Sequence, residues 1–236
     1  MDKEVLFTKI RAWDKKTSLK FNNYGDKELL YFFKIISFFG RESLWLFLCF
    51  FYLFIWYNPI YLSHIGMAYL SGLFIIVPLK YISNRDRPYK TVKGITLLER
   101  EPESQGFPSW HSYNVFSQAL ILGFLFDSLF ILIILLIISA IVSFSRIYLG
   151  VHYPTDAIIG AFLGFIGFLL TRYFLAPIFI DLIFKIEQTI NIAIYPNQIN
   201  PLLFSNIWYI LISFLLFGTI LFLGLIKTIR DNFKKR

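Results

Sequence analysis

Lys80 with Arg87-Pro88, then Pro108-Ser109-Trp110-His111, then Ser145-Arg146 followed by His152 and Asp156, are three polar islands in an otherwise apolar chain. Together they supply three cations, a hydroxyl, two imidazoles and a carboxylate, the equipment for holding a phosphate and breaking its ester bond. Phosphate monoesters hydrolyse extremely slowly without a catalyst, so an enzyme must neutralise the equatorial oxygens and provide both a nucleophile and an acid for the leaving group. Lys80, Arg87 and Arg146 fit the first duty, the planar arginine fork matching phosphate bidentately. No carboxylate or histidine cluster in the sequence has metal-ligand spacing, so no metal or other cofactor is expected. Ser109 offers a hydroxyl at a predicted helix start, where backbone N–H groups attract anions. His152 precedes Asp156 by four residues, so the carboxylate can orient and charge-stabilise the imidazole. That leaves His111 as the candidate general acid.

The elements that must position these groups are membrane helices. Of the 236 residues, 57% are hydrophobic, 20% aromatic and only 16% charged, and the mean hydropathy is +0.62. A soluble domain carries about a quarter charged residues. The net charge of +8 sits in flanks and loops between apolar runs, which fits the surface of an anionic bilayer better than nucleic acid. The single cysteine, Cys49, allows no intrachain disulfide. Met1-Asp2-Lys3-Glu4 opens no apolar stretch of the signal-peptide kind. Against the roughly 20 apolar residues needed to cross a hydrocarbon core, the pattern predicts about six spans: 41–57, 62–81, 111–126, 128–144, 154–173 and 207–226. The fold class expected is therefore all-α, a polytopic membrane helix bundle. Three segments follow: a charged, then amphipathic, interfacial stretch over 1–40; a catalytic core over 41–173; and 174–236, an interfacial or re-entrant segment plus a last span and basic tail. The first two islands flank one loop and two helices separate the second from the third, so all three islands emerge on one face and can converge.

The three islands resemble the motifs of the type 2 phosphatidic acid phosphatase superfamily: Lys, six residues, Arg-Pro; Pro-Ser-Gly-His; Ser-Arg, five residues, His, three residues, Asp. The first and third match in full. In the second, Trp110 stands at the family's glycine, while Pro108, Ser109 and His111 match. The resemblance covers about residues 40–173. It implies a metal-independent phosphatase in which His152 is the phosphorylated nucleophile, Asp156 its partner and His111 the general acid. Lys80, Arg87, Ser109 and Arg146 would form the phosphate cradle. Trp110, a bulky indole beside Ser109 and His111, is expected to influence substrate selection.

A site at the membrane surface between spans favours a substrate whose tail stays in the bilayer, hence a lipid phosphate or lipid diphosphate. Two other classes share these residues: a phosphotransferase handing the group to an alcohol, and a non-catalytic lipid-binding or transport protein. The partners expected are the lipid phosphate and the bilayer of a cell or inner membrane, with no nucleic acid. The sequence carries no signal for an oligomeric state. On the predicted topology, all but Arg172 and Lys185 of the 23 Lys and Arg residues share the motif face. The positive-inside tendency makes that face cytoplasmic, whereas the resemblance implies an exterior or lumenal site.

Overall fold

The computed structural model describes residues 3–190 and 197–233. Helices dominate: α1 (Lys3–Phe21), α2 (Lys27–Ile36), α3 (Glu42–Phe50), α4 (Pro59–Ser83), the single turn α5 (Pro88–Thr91), α6 (Trp110–Leu125), α7 (Leu129–Tyr148), α8 (Pro154–Leu170), α9 (Ala176–Ile190), the short α10 (Leu202–Ser205) and α11 (Ile207–Phe233). Two-residue strands β1 (Trp56–Tyr57) and β2 (Gln198–Ile199) pair antiparallel, with Trp56 opposite Ile199. The all-α expectation stands. The chain divides into two compact units, Met1–Arg41 with Gly72–Gly167, and Glu42–Ser71 with Phe168–Arg236.

In the first unit, α6 and α7 form a tight antiparallel hairpin. Asp127 takes the left-handed conformation in the turn, and the Ser128 side chain caps α7 by accepting from the Ile131 N–H. The start of α6 lies against α8. A Cβ added at Gly164 would come within 2.7 Å of the Tyr113 carbonyl, and Gly160 approaches the Ser109 carbonyl just as closely. Small residues four apart allow backbones to approach this way in membrane helices. Phe33, Leu98, Tyr148, Leu149 and Val151 form a buried cluster, with the Phe33 and Tyr148 rings 4.4 Å apart. The end of α1 is tied down by Asn22, whose amide donates to the Thr96 and Tyr148 carbonyls and whose Oδ1 accepts from the Thr96 N–H. The N-terminal residues expected at an interface do expose Phe7, Ile10 and Trp13, yet α1 buries Asp14 and Ser18, one turn apart.

In the second unit, α3 runs into a π-turn (Phe51–Ile55) and α11 packs against α3. Phe47 meets Phe217 edge-on, and Tyr209 donates to the Phe54 carbonyl.

Length and composition pick out three or four of the six expected spans. Among the described residues, Pro59–Thr91, Leu129–Tyr148 and Pro154–Thr189 are long and apolar enough to cross a membrane, and the broken pair Lys27–Gly40 and Glu42–Ile55 makes a fourth if counted as one. Helix α6, at 16 residues, is about 24 Å long against a hydrocarbon core of about 30 Å, and it buries Ser112, Asn114, Ser117 and Gln118. The sixth predicted span, 207–226, falls within α11, which runs from Ile207 to Phe233. The fifth predicted span, by contrast, does not stop at Tyr173: helical structure continues through a π-turn (Thr171–Leu175) into α9. Pro177 lacks an N–H and would clash in a regular helix, and the widened turn before it accommodates the ring. Asn191 and Pro196, two of the polar positions behind the interfacial reading of 174–206, lie outside the described residues. So do Met1, Asp2 and the terminal Lys234-Lys235-Arg236.

Candidate active site

The first unit carries all three islands. Lys80 is buried in the last turn of α4, and Arg87 is the buried residue before Pro88, which opens α5. Arg146 lies in the last turn of α7, His152 in the following turn, and Asp156 in the first turn of α8 behind Pro154, a residue suited to a helix start. The N–H groups of Val151 and His152 both donate to the Arg146 carbonyl, folding the α7–α8 link onto itself. Ser109 is the N-cap of α6, and its own N–H donates to the Asp156 carbonyl at 3.0 Å, joining the starts of α6 and α8.

The side chains converge as the spacing predicted. Arg87 Nη1 donates to the Val151 carbonyl at 2.9 Å and lies 3.2 Å from His152 Nε2. The other ring nitrogen, Nδ1, faces Asp156 Oδ2 at 3.4 Å. Burial, followed by the charges of Arg87, Lys80 and Arg146 and by His111, holds the His152 pKa well below the ordinary histidine value. The imidazole is therefore neutral at neutral pH, with a lone pair available. Ser109 Oγ accepts from the Ser112 N–H and hydroxyl, so the predicted phosphate ligand is also a helix cap, with its own O–H still able to donate. His111 sits in the first turn of α6 against Gly40, where an added Cβ would come within 2.6 Å of the imidazole. Trp110 is partly buried and stacks on Tyr113, centroids 6.0 Å apart.

The three cradle cations already hold protein oxygens. Lys80 Nζ donates to the Gln105 carbonyl at 2.6 Å. Arg87 donates to the Ser104 carbonyl at 2.9 Å and to the Gln105 carbonyl at 3.2 Å. Arg146 donates through both Nη atoms to the Glu99 carboxylate, at 2.9 and 2.5 Å, and to the Ser37 hydroxyl, while its buried Nε has no hydrogen-bond partner. The α5–α6 loop thus supplies a carboxylate and two carbonyls to the cations, in the manner of a bound oxyanion.

Four of these contributors were missed in the sequence: Glu99, Ser37, Arg85 and Asp14. Arg85, five residues after Lys80, donates to Asp156 Oδ1 at 2.7 Å and to Asp14 Oδ2 at 2.6 Å. Its place between Lys80 and Arg87 was a visible signal; the other three carry none. Among the described residues, no group of three or more His, Cys, Asp or Glu is placed to hold a metal ion. The arrangement combines a desolvated neutral imidazole, oriented by a carboxylate, with cations that can neutralise a tetrahedral oxyanion.

The PAP2 superfamily model matches residues 61–179, just over half of the chain, including all three islands. An undecaprenyl-diphosphatase of Sulfolobus acidocaldarius is 35% identical over 104 residues, covering 42% of this chain and 50% of the relative. Lipid A 4'-phosphatase of Bacteroides thetaiotaomicron is 41% identical over 62 residues, or 26% of this chain and 28% of the relative. The chain therefore spans half the length or less of these two relatives. Among solved structures, Aquifex aeolicus LpxE superposes with a TM-score of 0.59 at 25% identity, covering 67% of this chain and 94% of that one. A transmembrane PAP2-type phosphatidylglycerolphosphate phosphatase from Bacillus subtilis has the same TM-score at 24% identity, over 70% and 85% of the two chains, a likeness of fold. With its long apolar helices this chain is an integral membrane protein, and the family match over just over half of its length places it in the PAP2 superfamily.

Proposed function

We propose that this protein hydrolyses a membrane lipid phosphate or lipid diphosphate through a phospho-histidine intermediate. The observation that carries the proposal is His152, which is buried and neutral, with Nδ1 facing Asp156 and Nε2 beside a cradle cation. The phosphoryl oxygens displace the Ser104, Gln105 and Glu99 oxygens from Lys80, Arg87 and Arg146, with Ser109 donating a further hydrogen bond. The Nε2 lone pair attacks the terminal phosphorus, its bond to the ester oxygen of a monophosphate or the bridging oxygen of a diphosphate breaks, and His111 gives its proton to that departing oxygen. Asp156 stabilises the positive charge that develops on the His152 ring. Water then attacks the phospho-histidine with His111 taking its proton, releasing inorganic phosphate and restoring both imidazoles.

The names of the relatives, an undecaprenyl-diphosphatase and a lipid A 4'-phosphatase, support lipid-anchored phosphates as the substrate class. The cell or inner membrane is the corresponding location. Because side-chain cations neutralise the phosphate, turnover persists in EDTA; complete loss that magnesium restores would contradict this.

Phosphate release from a panel of lipid mono- and diphosphates tests the reaction, with His152→Ala as the control. The variant forms no phospho-enzyme and turns nothing over. His111→Ala keeps part of its activity on nitrophenyl phosphate, whose leaving group needs no proton, and loses nearly all of it on a lipid monoester. Acid-labile, base-stable phosphate trapped on a peptide spanning 151–156 supports the scheme. The same label on a peptide containing His111 reverses the two roles, and no release from any substrate in the panel refutes the proposal.

A further inference from the structure

Asp156 is fully buried, and its two oxygens are used differently. Oδ2 accepts from the Tyr153 N–H at 2.8 Å and faces His152 Nδ1, whereas Oδ1 is held by Arg85 Nη1 at 2.7 Å. A buried carboxylate needs such donors, because removing an unpaired charge from water is costly. Arg85 is held in turn. Its Nη2 donates to Asp14 Oδ2 at 2.6 Å, its Nη1 also reaches the Thr155 hydroxyl at 2.8 Å, and its guanidinium lies 4.3 Å from the centroid of the Tyr153 ring. Asp14 closes a ring: its Oδ1 accepts from the Thr155 N–H at 3.0 Å and its Oδ2 from the Thr155 hydroxyl at 2.6 Å. Thr155 therefore accepts from Arg85 and donates to Asp14, so all three side chains are fixed together. The Asp14 side chain is 1% exposed, on a helix that carries none of the three motifs.

We propose that Asp14 and Arg85 are positioning residues for the reaction: Asp14 on α1 locks the Arg85 fork, and Arg85 fixes the Asp156 carboxylate so that its second oxygen stays on His152. This rests on the phosphatase reading above. Arg85 is itself 27% exposed, so without Asp14 its guanidinium can swing towards water and release Oδ1. The carboxylate is then free to rotate or to take a proton. In both cases the His152 ring loses the acceptor that orients it and the negative charge that stabilises the phospho-imidazole cation. The phosphate cradle, which contains neither Asp14 nor Arg85, is untouched. The effect therefore falls on the chemical step and spares binding.

The bland alternative is an ion cluster that only fastens α1 to the start of α8. Kinetics separate the two. Full-length protein in detergent is assayed on nitrophenyl phosphate and on whichever lipid phosphate the wild type turns over, with His152→Ala establishing that turnover uses this site. If the wild type turns over and His152→Ala does not, the phosphatase reading stands and the variants below judge the positioning role alone. Asp14→Asn keeps the shape and one acceptor oxygen. It is expected to lower kcat by about 10- to 100-fold, by analogy with the carboxylates that orient metal-bound histidines, with KM and competitive inhibition by inorganic phosphate within twofold of wild type. In an Asp156→Asn background the same substitution should cost less than twofold, since the carboxylate it acts through is already gone. Arg85→Lys, which keeps the charge and loses the fork, carries the same test if Asp14→Asn does not accumulate as folded protein. A kcat within twofold of wild type overturns the proposal, as does a loss that adds in full to that of Asp156→Asn or one that appears in KM and inorganic-phosphate affinity.

Discussion

His152 with Asp156 in the first unit and Asp181 with Lys185 in the second are both charged-type pairs four residues apart, at the start of α8 and along α9. Their surroundings make them different objects. Asp156 is fully buried and takes hydrogen bonds from Arg85 and the Tyr153 N–H. Asp181 and Lys185 meet at 2.6 Å with side chains 64% and 70% exposed. Where water reaches so exposed a pair it screens the charges and competes for each partner, leaving such pairs worth about 0 to 1 kcal/mol. In the buried pair the same spacing brings His152 Nδ1 within 3.4 Å of Asp156 Oδ2, away from solvent. Glu99 stands between them, its side chain 16% exposed on a buried arginine. Spacing brings two groups together; desolvation decides whether their meeting has chemical consequences.

Removing one charge at each depth tests that gradient. Asp156→Asn should have the largest effect, a loss in kcat of about 10³- to 10⁴-fold with the protein still folded, by analogy with a carboxylate that orients a reactive histidine; single-turnover phospho-enzyme formation measures it. A loss below tenfold would break the comparison. Glu99→Gln should act in the other direction on binding. With its competing carboxylate gone, Arg146 should bind phosphate about tenfold more tightly, the equivalent of about 1.4 kcal/mol, read as the inhibition constant of vanadate. Unchanged or weaker inhibition would show that Glu99 orients Arg146 without competing for it. Trp110→Gly removes the stack on Tyr113, a contact worth about 0.5 to 1.5 kcal/mol. Part of the activity should survive while the ranking of lipid substrates changes; an unchanged ranking would place the indole outside substrate contact. Asp181→Asn should be the smallest perturbation, with thermal stability shifted by less than about 0.5 kcal/mol and turnover equal to wild type.

The motif residues were legible because each island is short in sequence, and because Lys, Arg, His and Asp are conspicuous in so apolar a chain. The same reasoning could not reach Asp14 or Glu99. Asp14 sits among Lys9, Arg11, Lys15 and Lys16 in a helix that reads as a solvated surface, and its partners Arg85 and Thr155 lie 71 and 141 residues away. Its inward face is polar, so hydrophobic periodicity gives no hint of burial. Glu99 is one of three glutamates within five residues, and nothing local marks the one that folds onto Arg146. The continuation of α8 into α9 was hidden by Pro177 and by the charged positions beyond it, which mimic the end of a span. A π-turn absorbs the proline. Helix α6 is shorter and more polar than the sequence pattern suggested, and Gly160 and Gly164 let α8 pass close to it.

The Ser104 and Gln105 oxygens on Arg87 and Lys80 bear on how quickly the enzyme clears its product. A cradle of three cations facing only water would hold inorganic phosphate tightly and stall with each turnover. In the proposed reaction phosphate would displace these protein dipoles on arrival, and the same dipoles would reclaim the cations as it leaves. Ground-state affinity would then be the difference between two sets of hydrogen bonds, which would shorten the residence time of free phosphate.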